Sequence, residues 1–309
     1  MQIGARISTT SRAMFLQPYQ PHELKFAYCY RVYFRFYTFG KGSCAPLAQL
    51  DSVTFDELTR PYSIHVLECR ANATSVQTLV SLQPFETISA CAGKLKGRLS
   101  KWLRQELKLT GPATLLSRGY FACTLGKSRR EAVEKYLNEQ SEHHGYSKRE
   151  LPPVFIKTYK LTLADETRLS AKHCEVLAYF HLVMATSHRR CVFGSHQAQR
   201  VTSEWRKQQS ALGLSIIKVS FVPDHVHVAL RLHPAASPIT VVAALMNTAQ
   251  ETVQNEMVEA GLQRLWAPSA YLGSYGDFAS PQIRKYMEHQ AEDPLTVAGW
   301  ATSGEMVNE

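Results

Sequence analysis

The sequence predicts an α+β fold written twice, each copy setting helices against one antiparallel sheet. Three observations predict it. Phe221-Val-Pro-Asp-His-Val-His-Val-Ala-Leu-Arg-Leu232 alternates apolar and polar side chains with the period of a half-buried strand. Residues 75–140 match residues 225–290 at a constant shift of 150 without a gap. Strand and helix patterns interleave without the crossover rhythm of a parallel sheet.

The self-match has eleven identities in 66 positions, a number whose weight comes from placement. Leu82 and Pro84 fall on Leu232 and Pro234 at a strand end, and Leu95 and Leu115 on Leu245 and Leu265. Gly126 falls on Gly276 at a turn, and Lys135, Tyr136 and Gln140 on Lys285, Tyr286 and Gln290.

Each copy opens with a strand, Tyr30–Tyr37 or Phe180–Thr186, rich in aromatic and branched residues. A polar amphipathic stretch, Ser195–Leu212 in the second copy, reads as a helix. Pro223 and Asp224 mark the start of the histidine strand. A second helix is expected over Phe85–Leu109 and Ser237–Ala260, then a short strand or turn near Tyr271–Gly276. A tyrosine-bearing helix closes each copy. The organisation expected is an N-terminal arm (1–20), a first domain (21–142), a linker with extended structure near Val154–Tyr159 (143–170), a second domain (171–298) and a tail (299–309).

Composition narrows the function classes. A 45% apolar fraction over 309 residues supports folded cores, and no apolar run approaches the ~20 residues that span a bilayer. Seven cysteines without a Cys-x-x-Cys pair read as reduced thiols of a cytoplasmic protein, and the arm lacks a secretory apolar core. The net charge of +9 points to a polyanionic partner. Lys94, Lys96, Arg98, Lys101, Arg104 and Lys108 crowd one helix, opposed there by Glu106 alone, and Lys127, Arg129 and Arg130 precede the first tyrosine helix. A solvated helix face and a phosphate-binding ridge are both compatible with that pattern.

On a strand, His225 and His227 project from one face, so two imidazoles can grip one divalent cation. A bare His-x-His is as readily a pair of surface histidines. The first copy has Ser75 and Gln77 at these positions and cannot build the same metal site unaided. Gln140 and Gln290 each lie one helical turn beyond a tyrosine, on the same helix face. His233 and His289 read as bystanders; Trp266 and Tyr271 read first as core or loop-packing residues, with stacking on an unpaired base as the alternative.

Four motifs of the second copy resemble the single-strand transposases of insertion sequences. These are Phe180-His-Leu-Val-Met-Ala-Thr-Ser187, Val222-Pro-Asp-His-Val-His-Val228, Leu265-Trp-Ala-Pro-Ser-Ala-Tyr-Leu-Gly-Ser-Tyr-Gly276 and Ile283-Arg-Lys-Tyr-Met-Glu-His-Gln290. That group belongs to the HUH endonucleases with one catalytic tyrosine, and is related to the transposases associated with repetitive extragenic palindromes. The first copy resembles it only through the second.

The resemblance implies two tandem ferredoxin-like HUH domains forming an intrachain pseudo-dimer. It implies Mg2+ or Mn2+ held by His225, His227 and a glutamine, Gln290 or Gln140. It further implies a nucleophile, Tyr286 or Tyr136, that forms a covalent 5′-phosphotyrosine on single-stranded or hairpin DNA in the bacterial cytoplasm, at the nucleoid. Tyr286 is slightly favoured because its own copy is intact, whereas active sites shared between subunits favour Tyr136. Two rival readings remain: a regulator that binds palindromic DNA without cutting it, and a His-x-His phosphoesterase. The latter lacks a third histidine at Ala229 and a Ser or Thr at position 227.

Overall fold

Alternating aromatic and branched residues build two sheets in the computed structural model. The structure describes residues 17–126, 132–133, 153–259 and 261–277, without the Lys41 side chain. Tyr136, Gln140, Tyr286, Gln290, His289, Lys127, Arg129 and Arg130 lie outside them.

The first copy supplies β1 (Lys25–Cys29), β2 (Arg31–Tyr37), α1 (Ser52–Thr59), β3 (His65–Ala71), β4 (Ser75–Ser81), α2 (Ile88–Glu106) and β5 (Tyr120–Leu125). β6 (Phe155–Thr158) and α3 (Leu163–Leu169) follow. The second copy supplies β7 (Cys174–Leu177), β8 (Tyr179–Thr186), α4 (Ser195–Lys207), α5 (Gln209–Leu212), β9 (Leu214–Val222) and β10 (His225–Leu232). It ends in α6 (Pro238–Thr252), α7 (Gln254–Glu259) and β11 (Trp266–Tyr275).

Side-chain chemistry sets the helix ends. Asp51 and Thr87 accept the Thr54 and Ala90 N–H groups at the starts of α1 and α2. The helix expected over Ser237–Ala260 breaks at Val253, whose φ of −113° and ψ of 30° leave the helical range. The one expected over Ser195–Leu212 divides at Gln208, although its φ of −90° and ψ of −5° stay in the right-handed helical region.

The sheets run β3-β4-β2-β5-β7 and β1-β11-β8-β10-β9-β6, so each copy gives its first strand to the other copy's sheet. β1 pairs parallel with β11, and β7 parallel with β5. Only Tyr30 separates β1 from β2, and only Ala178 separates β7 from β8. The chain therefore runs on from one sheet into the next without reversing. Each sheet thus carries one parallel edge strand, where the sequence suggested a purely antiparallel array.

Contacts between the copies are reciprocal. The Ser89 N–H donates to the Pro234 carbonyl (2.9 Å) and the Ile239 N–H to the Pro84 carbonyl (3.0 Å). The Thr124 hydroxyl donates to the Tyr275 carbonyl (2.7 Å), and the Ser274 hydroxyl to the Leu125 carbonyl (2.6 Å). A Cβ on Gly276 would lie 2.2 Å from the Thr124 carbonyl oxygen, which explains the glycine at this crossing. One hydrophobic core runs through both copies, with Tyr30 edge-on to Phe180 at 5.1 Å.

Two expectations are corrected. The strand reading of Phe221–Leu232 is a hairpin: β9 ends at Val222, Pro223 and Asp224 turn, and β10 begins at His225. β10 is buried on both faces rather than half-buried, because one face meets the helices and the other a second apolar cluster. The arm expected over 1–20 is anchored at its end. Tyr19 is 1% exposed; its hydroxyl donates to the Trp266 carbonyl (2.8 Å), and its N–H donates to Asn247 (2.6 Å).

Candidate metal and nucleic-acid site

Antiparallel pairing places His225 opposite Ala185, and His227 between Val183 of β8 and Ser220 of β9. Both imidazoles leave the sheet face turned away from α4 and α6, their ring centroids 5.1 Å apart. A third histidine, which the sequence reading did not single out, joins them. His181 faces the same way, its ring 5.3 Å from that of His227 and its Nε2 3.0 Å from His227 Nδ1. Burial pulls the His181 pKa down to about 4, so this ring is neutral near pH 7.

A chain of contacts orients the pair. His225 Nδ1 lies 2.7 Å from Asp224 Oδ1, and Arg189 forms an ion pair with Asp224, its Nε 2.8 Å from Oδ2. Arg189 sits at φ 54° in the tight turn after β8. With both Nδ1 atoms engaged, Nε2 is the atom through which each ring would meet a cation. His181 lies behind His227 and supports it. Among the described residues, no three His, Cys, Asp or Glu side chains form a metal-holding group. The chemistry of two imidazoles fits a divalent ion that also accepts oxygen ligands.

Two further residues lie on this face, and the first of them escaped the sequence reading. Lys218 of β9, opposite Ala229, is 2% exposed. Its signal was a lysine inside the apolar run Leu214–Val222. Tyr271 of β11 is 42% exposed and edge-on to His181 at 6.0 Å, so it borders the site instead of packing in the core. Trp266 does belong to the core, stacked on Phe193. The His233 ring meets backbone: its Nε2 lies 3.1 Å from the Ser170 carbonyl, and its Nδ1 accepts the Ala235 N–H.

The first copy keeps this construction with different chemistry. Tyr33 stands opposite Leu79 as His181 stands opposite Ala229, and its hydroxyl donates to Gln77 Oε1 at 2.7 Å. Ser75 donates to Asn72 at 3.2 Å. The turn after the opening strand is also shared. The Thr38 N–H donates to the Thr74 carbonyl (2.9 Å) and the Thr186 N–H to the Asp224 carbonyl (2.8 Å). These pairs show that the opening strands correspond at a shift of 148, two residues off the register of the His strands. That small gap obscured the match upstream of residue 75.

The basic helix α2 is less of an open ridge than its sequence suggested. Lys94 pairs with Glu86 from the preceding loop, so Glu106 is not the sole counter-charge. Lys96 donates to the carbonyls of Ser117 and Arg118, and Arg104 to those of Gly111 and Ala113, tying down the loop that leads to β5. Arg98 lies over the Tyr62 ring at 4.3 Å, and Lys101 is exposed. No helix among the described residues is long and apolar enough to cross a membrane.

The sequence model of the family described as "Transposase IS200 like" matches residues 50–140 and again 174–290, about two thirds of the chain, one segment in each copy. No curated protein matches. A crystal structure of a candidate transposase from Deinococcus radiodurans is similar at 24% identity, over 36% of this chain and 89% of that one, with a TM-score of 0.30. A formyltransferase/hydrolase complex from Methylorubrum extorquens is similar at 10% identity, over 80% and 88%, with a TM-score of 0.17. The doubled match of the family model falls on the two halves that the reciprocal contacts relate, and the chain belongs to the IS200-like transposase family.

Proposed function

We propose that the chain nicks single-stranded DNA beside a hairpin and rejoins it to another end, using one active site centred on His225 and His227. The observation that carries this reading is the orientation of the two rings, each with Nδ1 held from behind. A divalent ion, Mg2+ or Mn2+, supplies charge neutralisation of the phosphate when bound. The residues do the rest. Asp224 and His181 hold the two imidazoles in place, and the buried Lys218 lies on the same face.

A tyrosine oxygen attacks phosphorus, the bond from phosphorus to the 3′ oxygen breaks, and the proton lost by the phenol ends on the departing 3′-hydroxyl. The 5′-phosphotyrosine retains the bond energy, so a second 3′-hydroxyl can displace the tyrosine without a nucleotide cofactor.

Tyr136 of the first copy is the nucleophile we favour, although the sequence leans slightly to Tyr286. Support comes from Val133, three residues ahead of it. Val133 packs against the cluster of Tyr179, Ile217, Ala229 and Tyr275, on the histidine face of the other copy. Gln140 is then the natural third ligand, with Gln290 its counterpart in the repeat. The two copies, 21–142 and 171–298, act as a dimer within one chain on DNA of the nucleoid, and 143–170 joins them.

Labelled hairpin oligonucleotides incubated with the protein and Mn2+ test the reading by denaturing gel. Wild type should give a covalent adduct that Tyr136→Phe and the double variant His225→Ala/His227→Ala abolish and Tyr286→Phe leaves in place. A normal adduct from Tyr136→Phe/Tyr286→Phe would show that neither tyrosine attacks. Tight binding without any adduct would favour the non-cutting regulator.

A further inference from the structure

The outward face of the first copy's sheet differs from its counterpart in one row of side chains. In the second copy this row reads Ser220, His227, Val183 and Tyr271 across β9, β10, β8 and β11. In the first it reads Arg70, Gln77, Arg35 and Phe121 across β3, β4, β2 and β5. Two guanidinium groups therefore flank the glutamine that stands in place of a metal-site histidine.

Both arginines face away from the core. On β2, Val32, Phe34 and Phe36 are core residues and Arg35 alternates with them; on β3, Cys69 and Ala71 face the core and Arg70 lies between. Neither arginine enters an ion pair among the described residues. The Arg35 guanidinium lies over the Tyr37 ring at 5.0 Å, and its buried Nε has no hydrogen-bond partner. Glu175 stands beyond Phe121 at the far end of the row, and Glu68 lies one row along.

From this we infer that the first copy has exchanged its divalent ion for a metal-independent phosphate site. Arg35 and Arg70 grip the backbone of the single-stranded DNA whose other end is cut at His225 and His227. The charges correspond: two fixed guanidinium charges stand where the other copy would hold one doubly charged ion. Two strand spacings separate the arginines by about 10 Å, so each serves one phosphate, with Gln77 between them held by Tyr33. Arginine suits this role because its planar donors bind phosphate oxygens in pairs and its charge does not titrate. Such a site holds DNA without cutting it, which fits a copy lacking both imidazoles.

The inference rests on the DNA reading above, and binding in EDTA separates the two. Fluorescence anisotropy with a labelled hairpin-bearing oligonucleotide, the full chain and EDTA gives affinity as a function of salt. Arg35→Gln/Arg70→Gln should bind about tenfold more weakly, with a salt slope shallower by about 1.4, as expected for two lost phosphate contacts. Arg35→Lys/Arg70→Lys should recover most of the slope, which a merely misfolded variant would not. Equal affinity and slope in wild type and the glutamine variant would overturn the site while leaving Mn2+-dependent adduct formation untouched. Failure of wild type to bind the oligonucleotide at all would overturn both readings.

Discussion

The two copies share a frame and differ in its chemistry. Thr38 and Thr186 close the same turn, and the polar pair Tyr33–Gln77 occupies the place of His181–His227. Yet one face presents imidazoles and the other arginines, an amide and a hydroxyl. Strand pairing and the packed inner face constrain every residue that touches them, whereas the outer face answers only to what it binds. Duplication thus left the outer faces of the two copies free to diverge, and the proposals above assign cutting to one and holding to the other.

The comparison can be broken at its most telling point, the residue behind His227. His181→Phe should weaken Mn2+ binding, measured by calorimetry, by about 10- to 100-fold, because His227 loses the partner that fixes its ring. Tyr33→Phe removes the equivalent group from the first copy and should leave Mn2+ affinity unchanged. Comparable losses from both would mean that the first copy also holds metal.

The crossing between copies offers a second break. Gly276→Ala drives a Cβ into the Thr124 carbonyl and should cost about 1–3 kcal/mol in chemical denaturation. A neutral result would show that the two sheets shift apart readily. The smallest effect sharpens the comparison. Gly93 lies mid-helix in α2 with nothing within 4 Å of the place an alanine methyl would take, and its counterpart in α6 is Ala243. Gly93→Ala should therefore stabilise the protein by about 0.5–1 kcal/mol, read as a raised midpoint in urea.

Much of the site was legible because its residues are close in sequence. His225 and His227 alternate on one strand, so their shared face follows from backbone geometry. His181 was visible only as part of a motif, since 46 residues separate it from the partner it meets across two strands. The arginine row was hidden for the same reason. Arg35 and Arg70 are 35 residues apart in the chain, and neither strand carries a pattern that reveals the other. The basic helix misled in the opposite direction: its charges are local in sequence, but the groups that engage them, Glu86 and the carbonyls of the loop before β5, lie outside the helix.

By itself, the amino-acid sequence determined that the fold repeats, which copy carries the imidazoles, and that an anionic partner is favoured, because period and charge are local properties of a chain. Tertiary structure alone decided that β1 and β7 cross into each other's sheets, that Val133 reaches the opposite copy, and that two arginines flank Gln77. Those outcomes depend on strand register and on which face each strand buries, and register is settled only when distant segments compete for the same core.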